Sequence, residues 1–300
     1  MSSSGDDATV EPPAWFRRAL AHEPEVHRVS CEGVDISYLA WGRLGAPGLV
    51  FVHGGAAHAH WWSFLVPLLA DSYRIAAMDL SGHGDSDRRE AYPLSSWSAE
   101  IMAVADDLGA SGPPVVVGHS MGGFVAIGTG AVYGADLAGL VILDSPVTAP
   151  DPEIDAARGG KVFGPLRVYP DLESGLARFR TVPEQAHYLP YVIDHVARHS
   201  LRPVEGGWSW KYDPEIFVPT RSEARDLLQR VQCRVALFRA EHGLVTPEIG
   251  DYMYECLGRV APVVEIPEAG HHLMLDQPLL LLTALRTLLA DWEHSSPLTR

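Results

Sequence analysis

Short apolar runs alternate with helix-like patterns along most of the chain. The apolar runs predict buried strands at 49–53, 74–80, 115–119, 140–144, 235–239 and 263–267, and a hairpin joins 27–31 to 34–41. Helical patterns lie between these runs, at 60–70, 96–108, 121–133, 222–231, 248–257 and 277–292. Buried strands that alternate with helices are typical of a mostly parallel sheet covered by helices on both faces.

The alternation breaks once, between residues 147 and 215. This stretch has helical patches and no buried strand, and its many aromatic residues are Phe163, Tyr169, Phe179, Tyr188, Tyr191, Trp208, Trp210 and Tyr212. We interpret 147–215 as a cap inserted into a core formed by 14–146 and 216–300. Residues 1–13 are poor in apolar side chains and are predicted to be disordered.

Composition and charge exclude several classes of partner. Of the 300 residues, 47% are hydrophobic and 20% are charged, which is enough for a large core. The net charge of −15, without a basic run, argues against a nucleic-acid or anionic-membrane partner. The cysteines (Cys31, Cys233 and Cys256) are scattered, and the acidic start of the chain is unlike a signal peptide. We therefore expect a cytoplasmic protein that spans no membrane.

Residues 118–122 read Gly-His-Ser-Met-Gly and stand between a predicted strand and a predicted helix. A strand, a Gly-x-Ser-x-Gly turn and a helix form the nucleophile elbow. A side chain at either flanking position would clash in so tight a turn, and the strained backbone at the apex would project the serine outward. The pattern predicts Ser120 as a nucleophile, and a purely structural Gly-rich turn is the alternative.

Further motifs follow one another in a fixed order along the chain. They are His53-Gly54-Gly55 after the third strand, 79–86 after the fourth, the elbow, the end of the seventh strand at 239–241, and Gly270-His271-His272 before Pro278. Together they resemble the α/β-hydrolase fold over about residues 28–292. The resemblance implies an α/β protein with a mostly parallel central sheet, helices on both faces and an inserted helical cap. It also implies a ligand site at the carboxyl ends of the strands.

A serine hydroxyl needs a base, and histidine titrates near neutral pH. The family's Gly-His…Pro pattern selects His271, which precedes Pro278 by seven residues. The adjacent His272 fits the pattern less well and remains the alternative base. The other histidines are expected on the surface or in loops, except His53 and His119, which lie within motifs.

The acid of the triad departs from the usual family pattern. An aspartate usually stands a few residues beyond the seventh strand, but that position is Gly243 in this chain. Some family members, including haloalkane dehalogenases and certain lactonases, take the acid from the end of the sixth strand instead. That position is Asp144, which would hold the Nδ1–H of His271. Glu241, at the end of the seventh strand, is the alternative acid.

The resemblance also assigns an oxyanion hole and a substrate pocket. The expected oxyanion donors are the backbone N–H groups of Gly55 and Met121. The pocket is assigned to His53, Gly54, His119 and Trp208, although residues 208–213 could instead form a structural clasp where the cap rejoins the core.

A serine at the elbow favours attack on a carbonyl carbon. The sequence therefore predicts a serine hydrolase that cleaves a small carboxylic ester or lactone with an apolar or aromatic group, by acyl transfer to water. The mechanism implies no metal or organic cofactor. The alternatives are a carbon–carbon bond hydrolase or lyase, a haloperoxidase-like enzyme of the same fold, and a non-catalytic binding protein.

Overall fold

An eight-stranded sheet forms the centre of the structure. The structure is a computed structural model that describes residues 11–150, 165–216 and 221–295. Its strands are β1 (Glu25–Cys31), β2 (Val34–Trp41), β3 (Pro47–Val52), β4 (Arg74–Met78), β5 (Ser111–His119), β6 (Gly139–Leu143), β9 (Val235–His242) and β10 (Val263–Gly270). The order across the sheet is β1-β2-β4-β3-β5-β6-β9-β10, and pairs involving β2 are antiparallel while the rest are parallel. The predicted α/β class with a mostly parallel sheet is confirmed.

Helices cover both faces of this sheet. They are α1 (Ala14–Leu20), α2 (Leu94–Asp107), α3 (Met121–Tyr133), α6 (Arg221–Leu228), α7 (Pro247–Cys256), α8 (Leu273–Asp276) and α9 (Pro278–His294). One hydrophobic core packs the sheet against α2, α3, α6 and α7, and the other packs it against α1, α8 and α9. Because β4 sends Ile75 and Ala77 to one core and Ala76 and Met78 to the other, its sequence is a continuous apolar run.

The predicted helix at 60–70 is wrong. Two short 3-10 turns, Ala59–Trp61 and Val66–Leu69, occupy this stretch. Pro67 explains the difference, since inside an α-helix it would lack an N–H donor and its ring would clash with the preceding turn. Helix α1, whose Phe16 and Ala19 are buried in the core, was not predicted either.

The interval between β6 and α6 contains the elements of residues 165–216, which we call the inserted segment. They are two helices, α4 (Leu172–Leu176) and α5 (Pro190–His199), and a hairpin of β7 (Leu201–Val204) with β8 (Gly207–Trp210). The hairpin was not predicted, although Gly206, with a φ of 83°, marks its turn. Phe163 and residues 1–10 of the expected disordered terminus lie outside the described residues.

Backbone hydrogen bonds tie the end of the inserted segment to the loop after β4. The Gly84 N–H donates to the Lys211 carbonyl over 2.7 Å, and the Asp213 N–H donates to the Gly82 carbonyl over 2.7 Å. The Tyr92 hydroxyl adds a 2.7 Å hydrogen bond to the Asp213 carboxylate. These contacts fix where the chain re-enters the core.

Across the described residues, each helix is too short or too polar to cross a bilayer.

Candidate active site

Ser120 lies between β5 and α3 with a strained backbone. Its φ of 54° and ψ of −118° are unusual for a residue that is not glycine. Two backbone hydrogen bonds hold this conformation: the Ser120 N–H donates to the Leu143 carbonyl over 3.0 Å, and the Gly123 N–H donates to the Ser120 carbonyl over 3.0 Å. The turn places the Ser120 side chain at the carboxyl edge of the sheet, where it remains partly exposed.

The glycines on both sides of Ser120 are required by space. A Cβ atom on Gly118 would lie 2.3 Å from the Gly122 carbonyl oxygen. A Cβ atom on Gly122 would lie 2.5 Å from the carbonyl oxygen of His53. The elbow therefore packs directly on its own backbone and on the end of β3.

His271 follows β10 and makes hydrogen bonds through both ring nitrogens. Its Nε2 lies 3.0 Å from Ser120 Oγ, and its Nδ1 lies 2.7 Å from Asp144 Oδ2. Because an ionised carboxylate only accepts hydrogen bonds, the Nδ1–H donates to Asp144 and the Nε2 lone pair faces the serine hydroxyl. The ring is almost fully buried, which restricts it to this orientation.

Asp144 directly follows β6 and is completely buried. Besides His271, its carboxylate accepts three backbone hydrogen bonds, from Leu244 (2.7 Å), Ala240 (3.2 Å) and Val245 (3.2 Å). These donors come from β9 and the loop that follows it. They compensate the buried negative charge and hold the carboxylate in the position where it accepts the hydrogen bond from the His271 Nδ1–H.

Glu241, the alternative acid, lies elsewhere. Its exposed carboxylate accepts the Glu268 N–H over 2.8 Å, at the outer end of β9. The structure therefore brings Asp144 to His271 and leaves Glu241 at the surface.

The expected oxyanion donors lie on either side of Ser120. Met121 is the first residue of α3, so its N–H has no partner within the helix. Gly54 packs so closely on the elbow that a Cβ atom there would lie 3.3 Å from Ser120 Cβ, and this brings the following Gly55 next to the serine. Within the described parts of the chain, neither the Gly55 nor the Met121 N–H donates a hydrogen bond.

Two further histidines, His53 and His119, lie beside the site and are held by other groups. The Nδ1–H of His53 donates to the Gly54 carbonyl over 2.7 Å, while its Nε2 accepts the Leu80 N–H over 3.1 Å. The Nε2–H of His119 donates to the His271 carbonyl over 2.8 Å. Burial lowers the pKa of His53 to about 4 and that of His119 well below its ordinary value, so both rings are neutral.

His272, the alternative base, turns away from Ser120. Its Nε2–H donates to the Pro183 carbonyl over 3.0 Å, and its backbone N–H donates to Gln185 Oε1 over 2.8 Å. Burial lowers the pKa of His272 to about 3. The ring thus joins the inserted segment to the core as a neutral hydrogen-bond donor.

A cavity of about 210 Å³ lies between the inserted segment and residues 53–56, which we call the oxyanion loop. Its walls are formed by Gly55, Ala56, Trp61, Arg178, Phe179, Arg180, Thr181, Val182, Ser200, Trp210, Tyr212 and His272. The residues assigned to the pocket from the sequence, His53, Gly54, His119 and Trp208, are all absent from these walls. The Trp208 backbone pairs with Tyr169, and Trp210 on the same strand lies in the wall instead. A larger cavity of about 860 Å³ lies near Cys233 and Trp292, away from Ser120.

Most of the cavity walls were not predicted from the sequence. Phe179 stood out only as one of the many aromatic residues of 147–215, and its neighbours Arg178 and Arg180–Val182 belong to a stretch without periodicity. Trp210 and Tyr212 carried a weak signal, because they continue the alternation that begins at Trp208.

Comparisons with known proteins bear on the family and the fold of the chain. The model of a family described as "Alpha/beta hydrolase family" matches residues 49–284. The chain is similar to Esterase Rv0045c of Mycobacterium tuberculosis, with 30% identity over 275 residues that cover 89% of each protein. It is also similar to Lipase LipV of that organism, with 31% identity over 199 residues that cover 65% of this chain and 74% of the lipase. Among solved structures, E-2-(acetamidomethylene)succinate hydrolase shares the fold, with a TM-score of 0.76, 22% identity and coverage of 89% of this chain and 100% of that one.

Proposed function

The chain belongs to the alpha/beta hydrolase family, and from that premise we propose that it is a serine hydrolase that cleaves carboxylic esters or lactones. The observation that carries the proposal is the position of His271, whose two nitrogens lie 3.0 Å from Ser120 Oγ and 2.7 Å from Asp144 Oδ2. The similarity to a protein named as an esterase over 89% of the chain supports ester substrates.

Ser120 is the nucleophile of the proposed reaction. His271 Nε2 takes the hydroxyl proton while Ser120 Oγ attacks the carbonyl carbon of the substrate. The carbonyl oxygen becomes an oxyanion that accepts hydrogen bonds from the Gly55 and Met121 N–H groups. Such preorganised donors are each worth about 2.7–4 kcal/mol in the transition state.

The intermediate then collapses to an acyl-enzyme. The alkoxy oxygen of the substrate takes the proton from His271 Nε2 as its bond to the carbonyl carbon breaks. For an ester this oxygen leaves as an alcohol, and for a lactone it stays attached to the acyl group. Water, deprotonated by His271, attacks the acyl carbon, and the returned proton restores the Ser120 hydroxyl as the acid is released.

Asp144 is a positioning residue in this scheme. It keeps the proton of neutral His271 on Nδ1, so that Nε2 faces the serine, and its negative charge stabilises the imidazolium that forms during attack. The three backbone donors from 240–245 prevent the carboxylate from rotating away.

We further propose that residues 147–215 act as a cap over a core of 14–146 and 216–300. The described part of this stretch contributes eight of the twelve residues that line the cavity, among them Phe179, Trp210 and Tyr212. These aromatic rings favour an ester or lactone with an apolar or aromatic group, because ligand pockets bind mainly through apolar surface. The volume of about 210 Å³ favours a small acyl or leaving group.

The proposal is tested with para-nitrophenyl butyrate. Wild type should release nitrophenol with a burst of about one equivalent, and Ser120→Ala should lose the activity. Ser95→Ala, at an exposed position of α2, is the matched control and should behave as wild type. A wild type no faster than Ser120→Ala would exclude a serine hydrolase and leave the binding-protein alternative. With an ester in isotopically labelled water, label in the acid product distinguishes hydrolysis from a lyase reaction.

A further inference from the structure

A second group of histidines lies outside the Ser120 site. His195 and His199 are one turn apart on α5, and His60 lies in the 3-10 turn after the oxyanion loop. One ring nitrogen from each of the three lies within 4.8 Å of the others. The His60 and His199 rings are stacked with their centroids 3.9 Å apart. We call His60, His195 and His199 the histidine cluster.

Hydrogen bonds already orient the rings of the cluster. The Nδ1–H of His199 donates to the His195 carbonyl over 2.8 Å, which leaves the Nε2 lone pair of His199 free for a ligand. The Ser63 hydroxyl lies 3.2 Å from His60 Nδ1 and 2.9 Å from His195 Nε2, so one side chain holds both rings. Histidine ligands of metal ions are commonly fixed by such outer hydrogen bonds.

The exposure of the cluster also suits a cation. All three side chains remain partly exposed, which leaves a path from solvent. Nitrogens bound to zinc at about 2.0–2.1 Å lie about 3.3 Å apart in a tetrahedral site, so the stacked His60 and His199 rings would rotate apart for both lone pairs to point at one ion.

We propose that the histidine cluster binds Zn²⁺ or a similar divalent transition-metal ion, with water as a fourth ligand. Three imidazoles are the ligand type that such ions prefer. The ion would join α5 to the segment that carries Gly55, and it would lie beside the candidate substrate cavity. Trp61 and Ser200, which follow His60 and His199 in the chain, both line that cavity.

The histidines beside Ser120 form a second candidate group for a metal ion, which the experiment must distinguish from the histidine cluster. One ring nitrogen from each of His119, His271 and His272 also lies within 4.8 Å of the others. Both nitrogens of His271 are already hydrogen bonded to Ser120 and Asp144, so a metal ion there would displace one of these partners. The histidine cluster can bind an ion without breaking the contacts of Ser120.

The test is calorimetric titration of the chelator-treated full chain with Zn²⁺, alongside its thermal unfolding. We expect one equivalent to bind with a Kd in the micromolar range or below, and Tm to rise by about 5 °C at a hundred-fold excess over Kd. His199→Ala and His60→Ala should each weaken binding at least about 100-fold. His294→Ala is the matched control, because its Nδ1 makes the same helical hydrogen bond, to Ala290, and it should bind as wild type.

One further variant and one spectrum complete the experiment. His271→Ala should retain the ion, and a loss of binding in this variant but not in His199→Ala would place the metal beside Ser120 and overturn the proposal. Unchanged affinity in His199→Ala and His60→Ala would overturn it as well, as would a wild type that binds no Zn²⁺. Because a variant could unfold, Co²⁺ bound to wild type should show the visible spectrum of a nitrogen-rich tetrahedral or five-coordinate site. None of these outcomes depends on hydrolase activity.

Discussion

Gly243 leaves the space that the Asp144 carboxylate fills. A Cβ atom on Gly243 would lie 2.3 Å from Asp144 Oδ2, so no larger residue fits at position 243 while Asp144 bonds to His271. The family's usual position for the acid and the position used in this chain are thus two ways of occupying one small volume beside His271. A residue without a side chain at position 243 is therefore required for Asp144 to occupy its place beside His271.

This relationship predicts that Gly243→Ala impairs catalysis without removing a functional group. The new methyl group would displace the Asp144 carboxylate and tilt His271, and misplacement by about 1 Å can cost about a hundred-fold in rate. We expect kcat for para-nitrophenyl butyrate to fall about 10–100-fold. Gly250→Ala is the matched control, because a Cβ atom there meets its nearest neighbour at an ordinary 3.8 Å. Equal activity of the two variants would contradict the prediction.

The same relationship predicts a partial rescue. Asp144→Gly removes the acid and opens the volume, and Gly243→Asp then supplies a carboxylate from the other side. We expect the double variant to exceed the kcat of Asp144→Gly by at least about tenfold, a coupling typical of residues in direct contact. A double variant no better than Asp144→Gly would mean that position 243 cannot orient His271.

Asp144→Asn should reduce kcat by about 10³–10⁴-fold. An amide in place of the carboxylate favours the wrong tautomer of His271 and no longer stabilises the imidazolium. Glu241→Gln should leave kcat within about twofold, since its carboxylate bonds to the Glu268 N–H at the surface. Steady-state kinetics of the two variants distinguish the two acids, and the reverse result would assign the role to Glu241.

The two adjacent histidines should respond very differently to the same substitution. His271→Gln removes the group next to Ser120 Oγ and should lower kcat at least about 10³-fold. His272→Gln removes a hydrogen bond to Pro183 and should lower kcat less than about tenfold. Burst kinetics provide the measurement, because loss of the base suppresses acylation itself. Comparable losses in both variants would contradict the assignment of His271 as the base.

The sequence was sufficient to predict that Ser120 and His271 lie at strand ends, because their motifs fix backbone turns there. It could not separate Asp144 from Glu241, since β6 and β9 are neighbours and both residues stand at their carboxyl ends. The difference depends on which way each side chain points. The Ala240 N–H donates to Asp144, whereas Glu241, the next residue on β9, faces outward.

The inserted segment was less predictable for a different reason. Its strands β7 and β8 have four residues each, and α4 has five, so each is too short to show a clear period. The cavity walls therefore depended on tertiary packing. The helical spacing of His195 and His199 could be read from the sequence, but their approach to His60, far away in the chain, could not.

The ion pair between buried Arg74 and half-exposed Glu25 predicts a pH-dependent stability. Hydrogen bonds from Arg74, and secondly from His27, lower the pKa of Glu25 to about 2 from an ordinary 4.5. A carboxyl group with a lowered pKa stabilises the fold above its unfolded pKa, and this stabilisation is lost as pH falls from about 4.5 towards 2.

Glu25→Gln should therefore lower the free energy of unfolding at pH 7 by about 1 kcal/mol, a value kept small because Glu25 is half exposed. The difference from wild type should shrink as pH falls below about 4.5. Urea unfolding at pH 7, 5 and 4 measures it. Glu11→Gln breaks a wholly exposed pair with Arg17 and should have almost no effect at any pH. A Glu25 effect that grows on acidification would contradict the assignment.

Trp210→Ala should change the acyl preference of the enzyme. The Trp210 ring lies in the cavity wall beside Phe179, with centroids 6.1 Å apart, and its removal would lengthen a cavity of about 210 Å³. Each methylene that gains apolar contact is worth about 0.8 kcal/mol, or about fourfold in kcat/KM. The ratio of kcat/KM for para-nitrophenyl octanoate over that for para-nitrophenyl acetate should therefore rise at least about tenfold.

Trp208→Ala, two residues earlier on β8 and outside the wall, is the matched control and should leave this ratio unchanged. If both variants shift the ratio equally, the change comes from loosening the hairpin, and the cavity between the oxyanion loop and the inserted segment is not the acyl site.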